Sequence, residues 1–307
     1  MTTAIVGYTG FVGSNICRSH QFEKQYNSKN ITEAFGTCPD LLVYAGVRAE
    51  MFTANHYPEK DLENIKEALD NIKRINSKKL VLISTISVYP DMNEGNEDTV
   101  IYPNSLKAYG KNRLWLEDTV RREFPNALIV RLPALYGKGI KKNFIYDLIH
   151  YIPGLLKTDK CNELMADSPL KKFYADRGDG FYKCIAETEE DRQQLKVFFR
   201  GKGFSALNFT DSRSCYQYFN LANLWDLIEK SIKMGIKLLT ITSEPIKSAE
   251  LYKLIYGNEF VNVINPNYPD QNLKSIHAEE FGGKDGYIYS KEYVLNDLKN
   301  FINSHIG

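Results

Sequence analysis

The apolar positions of this chain fall into short dense runs separated by longer stretches of helical period. Residues 4–13 begin with a β-branched run and break into three glycines spaced three apart, Gly7, Gly10 and Gly13. That pattern predicts a buried strand, a tight turn and the start of a helix ending near His20. Residues 25–31 hold the second strand and its exit, and residues 40–46 form the next buried strand. Leu62, Ile65, Leu69, Ile72 and Ile75 then recur at helical spacing behind Pro58, an amphipathic helix whose charges read as a solvated face. Residues 79–89 run apolar and abruptly present hydroxyls. Asn104 or Ser105 is expected to cap a helix running to about Phe124. A strand at 127–132 and a turn-rich loop at 133–139 come next. Strands alternating with helices predict right-handed crossovers and an α/β fold with a doubly wound parallel sheet.

Between residues 157 and 207 the periodicity is patchy and charged residues are frequent, which predicts a mostly helical insertion. Asn220 is expected to cap a helix that buries Leu221, Leu224, Trp225, Leu227, Ile228 and Ile232, and residues 237–242 read as a strand returning to the first sheet. Two further amphipathic helices follow, about 248–256 and 291–302, separated by an Asn/Pro-rich loop at 262–272. The chain therefore divides into residues 1–150 plus about 218–242, and a smaller α/β domain of about 151–217 plus 243–307.

Charge and cysteine content narrow the function. Lys and Arg number 39 against 38 Asp and Glu, with no long block of one sign, which argues against coating nucleic acid or an anionic membrane. The five cysteines, Cys17, Cys38, Cys161, Cys184 and Cys215, are odd in number and far apart, with no CxxC pair. They read as reduced thiols, and no metal site is expected. No apolar run reaches the length of a membrane span, and residue 1 leads directly into the first strand without room for a signal peptide, so a cytoplasmic protein is expected.

The glycine turn carries the first chemistry. Gly7 would let the chain turn, Gly10 would let the backbone approach a pyrophosphate on the helix N-terminus, and Gly13 would let helix and strand pack closely. A dinucleotide site follows. The exit of the second strand faces the adenine ribose in such a fold, where an acid accepts the 2′-hydroxyl of NAD and a cation suits the 2′-phosphate of NADP. Ser28 and Lys29 stand there, so NADP is expected, with NAD as the alternative. Tyr109 and Arg113 lie four residues apart and share one helical face. A tyrosine of pKa about 10 needs a nearby cation to favour its phenolate if it is to exchange protons at neutral pH.

Four separated stretches together resemble the extended short-chain dehydrogenase/reductase family, the epimerase/dehydratase type that modifies nucleotide sugars. They are Gly7-x-x-Gly10-x-x-Gly13, the run Ser84-Thr85-Ile86-Ser87-Val88-Tyr89, Tyr109-Gly110-x-x-Arg113, and Arg131-Leu132-Pro133-Ala134-Leu135-Tyr136-Gly137. The resemblance covers most of the chain outside about 157–207. It implies a Rossmann sheet of about seven strands with a small C-terminal substrate domain, and Thr85, Tyr109 and Arg113 as the catalytic group. It further implies cofactor contacts from Gly7, Thr9, Gly10, Phe11, Val12, Gly13, Ala45, Gly46, Arg113 and Pro133, beside Ser28 and Lys29. Asn143 matches an asparagine that meets a substrate diphosphate, and Arg213 matches an arginine of the substrate site.

The chain departs from the family in carrying arginine where lysine is usual, YxxxR in place of YxxxK. Arginine stays charged and offers a planar fork, so electrostatic activation of Tyr109 could survive whereas a proton relay could not. Ala134 stands where many members have asparagine, and Gln217 and Asn220 replace histidine and aspartate. Two functions fit these residues: an NAD(P)-dependent oxidoreductase or epimerase of a nucleotide sugar, and an NADP(H)-binding sensor or scaffold without turnover. Helix pairs such as 60–76 and 105–123 often form a dimer bundle in the family, so a homodimer is a further expectation.

Overall fold

The computed structural model describes residues 2–264 and 266–306; residue 265, inside the expected Asn/Pro-rich loop, lies outside the described residues. The chain divides into two compact units. One comprises Met1–Ile140, Cys215–Ile246 and Asp270–Val294; the other comprises Lys141–Ser214, Lys247–Pro269 and Leu295–Gly307.

The first unit is built on β1 (Thr3–Val6), α1 (Phe11–Ser19), β2 (Lys24–Tyr26), β3 (Leu41–Tyr44), α2 (Met51–His56), α3 (Pro58–Ile75), β4 (Leu80–Thr85), α4 (Ala108–Glu123) and β5 (Leu128–Leu132). These strands and Leu238–Thr240 form one parallel sheet in the order Leu238–Thr240, β5, β4, β3, β1, β2. Helices cover both faces, which is why the central strands read as continuous apolar runs. Alternate residues serve opposite faces. Ile5, Val43 and Val81 join Ile16 of α1 and Leu224, Leu227 and Ile228 of the helix Leu224–Met234. Val6, Leu42, Leu80 and Leu82 join Ile65, Leu69 and Ile72 of α3 and Leu116 and Val120 of α4.

The sheet has six strands where about seven were expected. Between β2 and β3 the chain makes only the short 3-10 turn Ile31–Ala34, and a parallel crossover needs a dozen or more residues for each strand it adds. No further strand fits beyond β2, which is therefore the sheet edge. At the other side Pro133, lacking an N–H, follows β5; Ala134–Tyr136 then leaves the main ladder and pairs in parallel with Tyr218–Asn220.

Helix starts also differ from the sequence reading. Pro103–Ser105 is a separate 3-10 turn, and the Ser105 hydroxyl donates back to the Tyr102 carbonyl at 2.7 Å. It therefore does not cap α4, which begins behind Lys107. Asn220 caps the 3-10 turn Leu221–Asn223 through the Ala222 amide, and the α-helix follows at Leu224.

In the second unit, helices Phe144–His150, Thr158–Met165, Glu189–Gly201 and Ser248–Tyr256 accompany a three-stranded antiparallel sheet, Leu155–Lys157, Phe181–Cys184 and Tyr174–Asp176 in spatial order. Cys161, Met165, Tyr174, Leu195 and Phe199 form its core. Three strands thus lie in or beside the stretch read as mostly helical, each too short to print a period-two pattern. Among the described residues, no helix is long and apolar enough to cross a membrane.

Candidate active site

Because the six strands are parallel, their C-terminal ends share one edge, and the sequence-predicted residues of the first unit collect there. Gly7 follows β1, its amide donating to the Tyr26 carbonyl at 2.7 Å, while the Ala45 amide donates to the Val6 carbonyl at 2.9 Å. The turn is very close-packed. A Cβ on Gly7, which has φ +90°, would lie 2.5 Å from the Ala45 carbonyl oxygen, and one on Gly13 would lie 2.2 Å from that of Gly7. Gly10 caps α1 without a side-chain bond, and no acid lies in the first helical turn. The amides of Phe11, Val12 and Gly13 are thus the orphan donors of a helix N-terminus beside a glycine turn, a fit for the pyrophosphate of a dinucleotide. Ser28 and Lys29 are exposed just past β2, and the Lys29 amide donates to Asn27 Oδ1 at 2.9 Å.

Thr85 ends β4, and its Oγ1 accepts the Ser87 amide at 3.2 Å. Gly110 sits against that turn. Its Cβ position is only 2.0 Å from the Ser87 carbonyl oxygen, so any side chain there would push α4 off the strand end and carry Tyr109 away from Thr85. Tyr109 is 7% exposed. Burial raises the pKa of its phenol, against the pull of Arg113; Asp61 raises it further, and the Thr85 hydroxyl within reach lowers it. The balance is a tyrosine that holds its proton more firmly than usual: Arg113 acts in the expected phenolate-favouring sense, and burial outweighs it.

Arg113 divides its bonds among several partners. Its guanidinium lies 3.8 Å from the Tyr109 ring centroid, and its short bonds go elsewhere: Nη1 to Asp61 Oδ2 at 2.5 Å and to the Tyr109 carbonyl at 3.2 Å, and Nη2 to the Arg48 carbonyl at 2.6 Å. The same Asp61 oxygen accepts from Asn112 Nδ2 at 2.8 Å, and Asn55 Oδ1 accepts the Tyr109 amide at 3.0 Å. Asp61 is 8% exposed. It belongs to α3, whose charges were read as a solvated face; this one is a buried counter-ion. An acid in the first turn after Pro58 gave no sign of that, since helix N-termini favour acids anyway.

A second buried pair escaped the sequence reading. Glu117, wholly buried on α4, receives Arg131 of β5 through Nε at 3.1 Å and Nη2 at 2.7 Å, Arg121 at 2.9 Å and the Ser84 hydroxyl at 2.5 Å. Burial opposes the Arg131 charge, but Glu117 overrides it and holds that pKa above its usual value. The signal was available: an arginine inside an apolar strand demands a buried acid, and Glu117 stands four residues after Arg113 on the same helical face.

Asn143 and Arg213 belong to the second unit. Asn143 has φ +97°, and its Oδ1 accepts the amides of Ile145 and Tyr146 as a helix cap. Arg213 forks onto Asp211 at 2.8 and 2.7 Å and lies 4.4 Å from the Tyr268 ring. Gln217 is a brace of the first unit, its Nε2 donating to the carbonyls of Ser243 and Leu273 at 2.6 and 2.9 Å and its Oε1 accepting the Leu273 amide at 2.8 Å.

Solved structures share this architecture. The dTDP-4-dehydrorhamnose reductase from Yersinia enterocolitica aligns with a TM-score of 0.62 at 14% identity over 99% of both chains. RMD from Pseudomonas aeruginosa, complexed with NADPH, aligns with 0.64 at 12% over 100% of this chain and 99% of that one. The UDP-N-acetylglucosamine 4-epimerase from Methanobrevibacter ruminantium, complexed with UDP-N-acetylmuramic acid, aligns with 0.64 at 10% over 98% and 97%. These likenesses establish the fold. No curated protein sequence matches the chain. The sequence model of the NAD-dependent epimerase/dehydratase family matches residues 3–160, just over half of the chain, a span that holds the glycine turn, the Thr85 strand end and the Tyr109 helix. This chain belongs to the NAD-dependent epimerase/dehydratase family.

Proposed function

We propose that this protein is an NADP(H)-dependent oxidoreductase acting on a nucleotide-activated sugar, with the first unit holding the dinucleotide. The observation that carries the reading is the seating of Gly110 against the Ser87 carbonyl, which sets the Tyr109 phenol beside the Thr85 hydroxyl at the strand edge that also bears the glycine turn. A bound nicotinamide would supply or accept a hydride there. Tyr109 is the group that gives or takes the proton at the reacting oxygen, and Thr85 orients that oxygen. Phe11, Val12 and Gly13 present their amides to the pyrophosphate, with Thr9 in the turn, Ala45 and Gly46 alongside it and Pro133 past β5. The solved relatives named with NADPH and with UDP-linked sugars support the cofactor and substrate class. Asn143 and Arg213 are the proposed substrate contacts, and the cytoplasm and a homodimer through α3 and α4 are the proposed setting. A cofactor-binding sensor is the second reading, favoured by the engagement of Arg113 with Asp61.

Cofactor titration tests the assignment. NADPH should bind more tightly than NADH, and Lys29→Ala should narrow the gap by removing the cation at the β2 exit. Equal or tighter NADH binding by the unaltered protein would overturn the 2′-phosphate assignment.

A further inference from the structure

The groups that face Tyr109 are Arg113 from its own helix, Asp61 from α3, the Thr85 hydroxyl from β4, the Asn55 side chain from α2, which takes the Tyr109 amide, and the Arg48 carbonyl, which takes Arg113. Only two of these carry charge, and they are paired with each other at 2.5 Å in a site where both are buried. A lone cation against a phenol favours the phenolate strongly in such surroundings; a cation already joined to a carboxylate offers the phenolate little more than a dipole. Asp61 is in turn fixed by Asn112, so it cannot swing away without leaving a buried donor unpaired.

We propose that Asp61 is a positioning residue that offsets the charge of Arg113 and so, together with the burial of the ring, keeps Tyr109 a phenol, fitting this site to reduce a ketone of the substrate rather than to begin by oxidising an alcohol. This rests on the nicotinamide reading of the site. In the reducing direction a reduced nicotinamide, when bound, would supply the hydride and its two electrons to the substrate carbonyl carbon. The C=O π bond breaks as its oxygen takes the Tyr109 proton, and the resulting phenolate regains a proton from water. An alcohol oxidation needs the opposite resting state, a phenolate ready to accept. Burial of the phenol is the largest influence in this direction, and Asp61 adds to it by offsetting Arg113.

The test reads Tyr109 directly. The full chain is prepared with 13C at tyrosine Cζ, the Tyr109 signal is assigned by its loss in Tyr109→Phe, and the signal is followed against pH without cofactor. The unaltered protein should remain phenolic at Tyr109 beyond pH about 10, the ordinary tyrosine value. Asp61→Asn should ionise at least about one pH unit lower, a tenfold larger ionisation constant. The double variant Asp61→Asn/Arg113→Gln, which replaces the charged pair by a neutral one, should return the signal to the unaltered behaviour, and it guards against misfolding of the single variant. Ionisation of the unaltered protein below pH 8, or an Asp61→Asn signal that moves no lower, overturns the role of Asp61. A chain that binds no nicotinamide dinucleotide overturns the site reading and with it the direction, whatever the titration shows. Kinetically, ketone reduction at pH 8 should outpace alcohol oxidation, and Asp61→Asn should bring the alkaline rise of the oxidation rate to lower pH by the same unit; an unmoved profile counts against the proposal.

Discussion

Two buried arginine–carboxylate pairs hang from α4 one turn apart, with opposite polarity and unequal completeness. In the first the helix supplies the cation, Arg113, and its bonds are divided between Asp61 and the carbonyls of Tyr109 and Arg48. In the second the helix supplies the anion, Glu117, and both of its oxygens are saturated by Arg131, Arg121 and Ser84. The second ties helix to sheet, since Ser84 stands on β4 and Arg131 on β5, with Arg121 joining from the helix itself. The first ties α4 to α3 and lies against the ring of Tyr109, where charge can still be read out by a titrating group. Identical chemistry therefore serves anchorage at one turn and proton affinity at the next, and the neighbour at each turn makes the difference.

Breaking the anchoring pair should have the largest effect. Glu117→Ala leaves Arg131 buried without its acid, which should cost about 3–5 kcal/mol of stability in urea unfolding; a loss under about 1 kcal/mol would show that the pair holds nothing. Tyr109→Phe should instead spare the fold and lower turnover by about 10²-fold or more, with NADPH affinity kept. It carries a pH signature as well. The folded pKa of Tyr109 lies above its unfolded value, so this tyrosine contributes stability that is fully present below pH about 10 and is lost as pH rises through the folded value. Phenylalanine should flatten that alkaline arm; turnover unchanged by the substitution would end the catalytic assignment. The smallest effect is expected from Arg113→Lys. Lysine can still meet Asp61 as a point charge but cannot also hold the Arg48 carbonyl, so stability should fall by about 1–2 kcal/mol while turnover stays within about tenfold of the original. Turnover falling as far as in Tyr109→Phe would show that the arginine fork itself handles cofactor or substrate.

Much of this protein was legible in its sequence. The β-branched runs, the triplet of glycines and the helical stripe from Leu62 to Ile75 each act over a few residues, and local sterics and burial of one face suffice to specify strand, turn and helix. Tyr109 and Arg113 were placed on one face by spacing alone. The sequence also determined that family resemblance, because its motifs are local in chain order. Tertiary structure decided the rest. Whether Asp61 is solvated or a buried counter-ion depends on α3 packing beside α4, residues about fifty positions apart. The missing seventh strand followed from the shortness of the 27–40 connection, which excluded a strand only once β2 was seen to be the edge. The proton affinity of Tyr109 is likewise a sum over groups from three elements, and a charge acts through space on whatever the fold sets beside it, without regard to chain order.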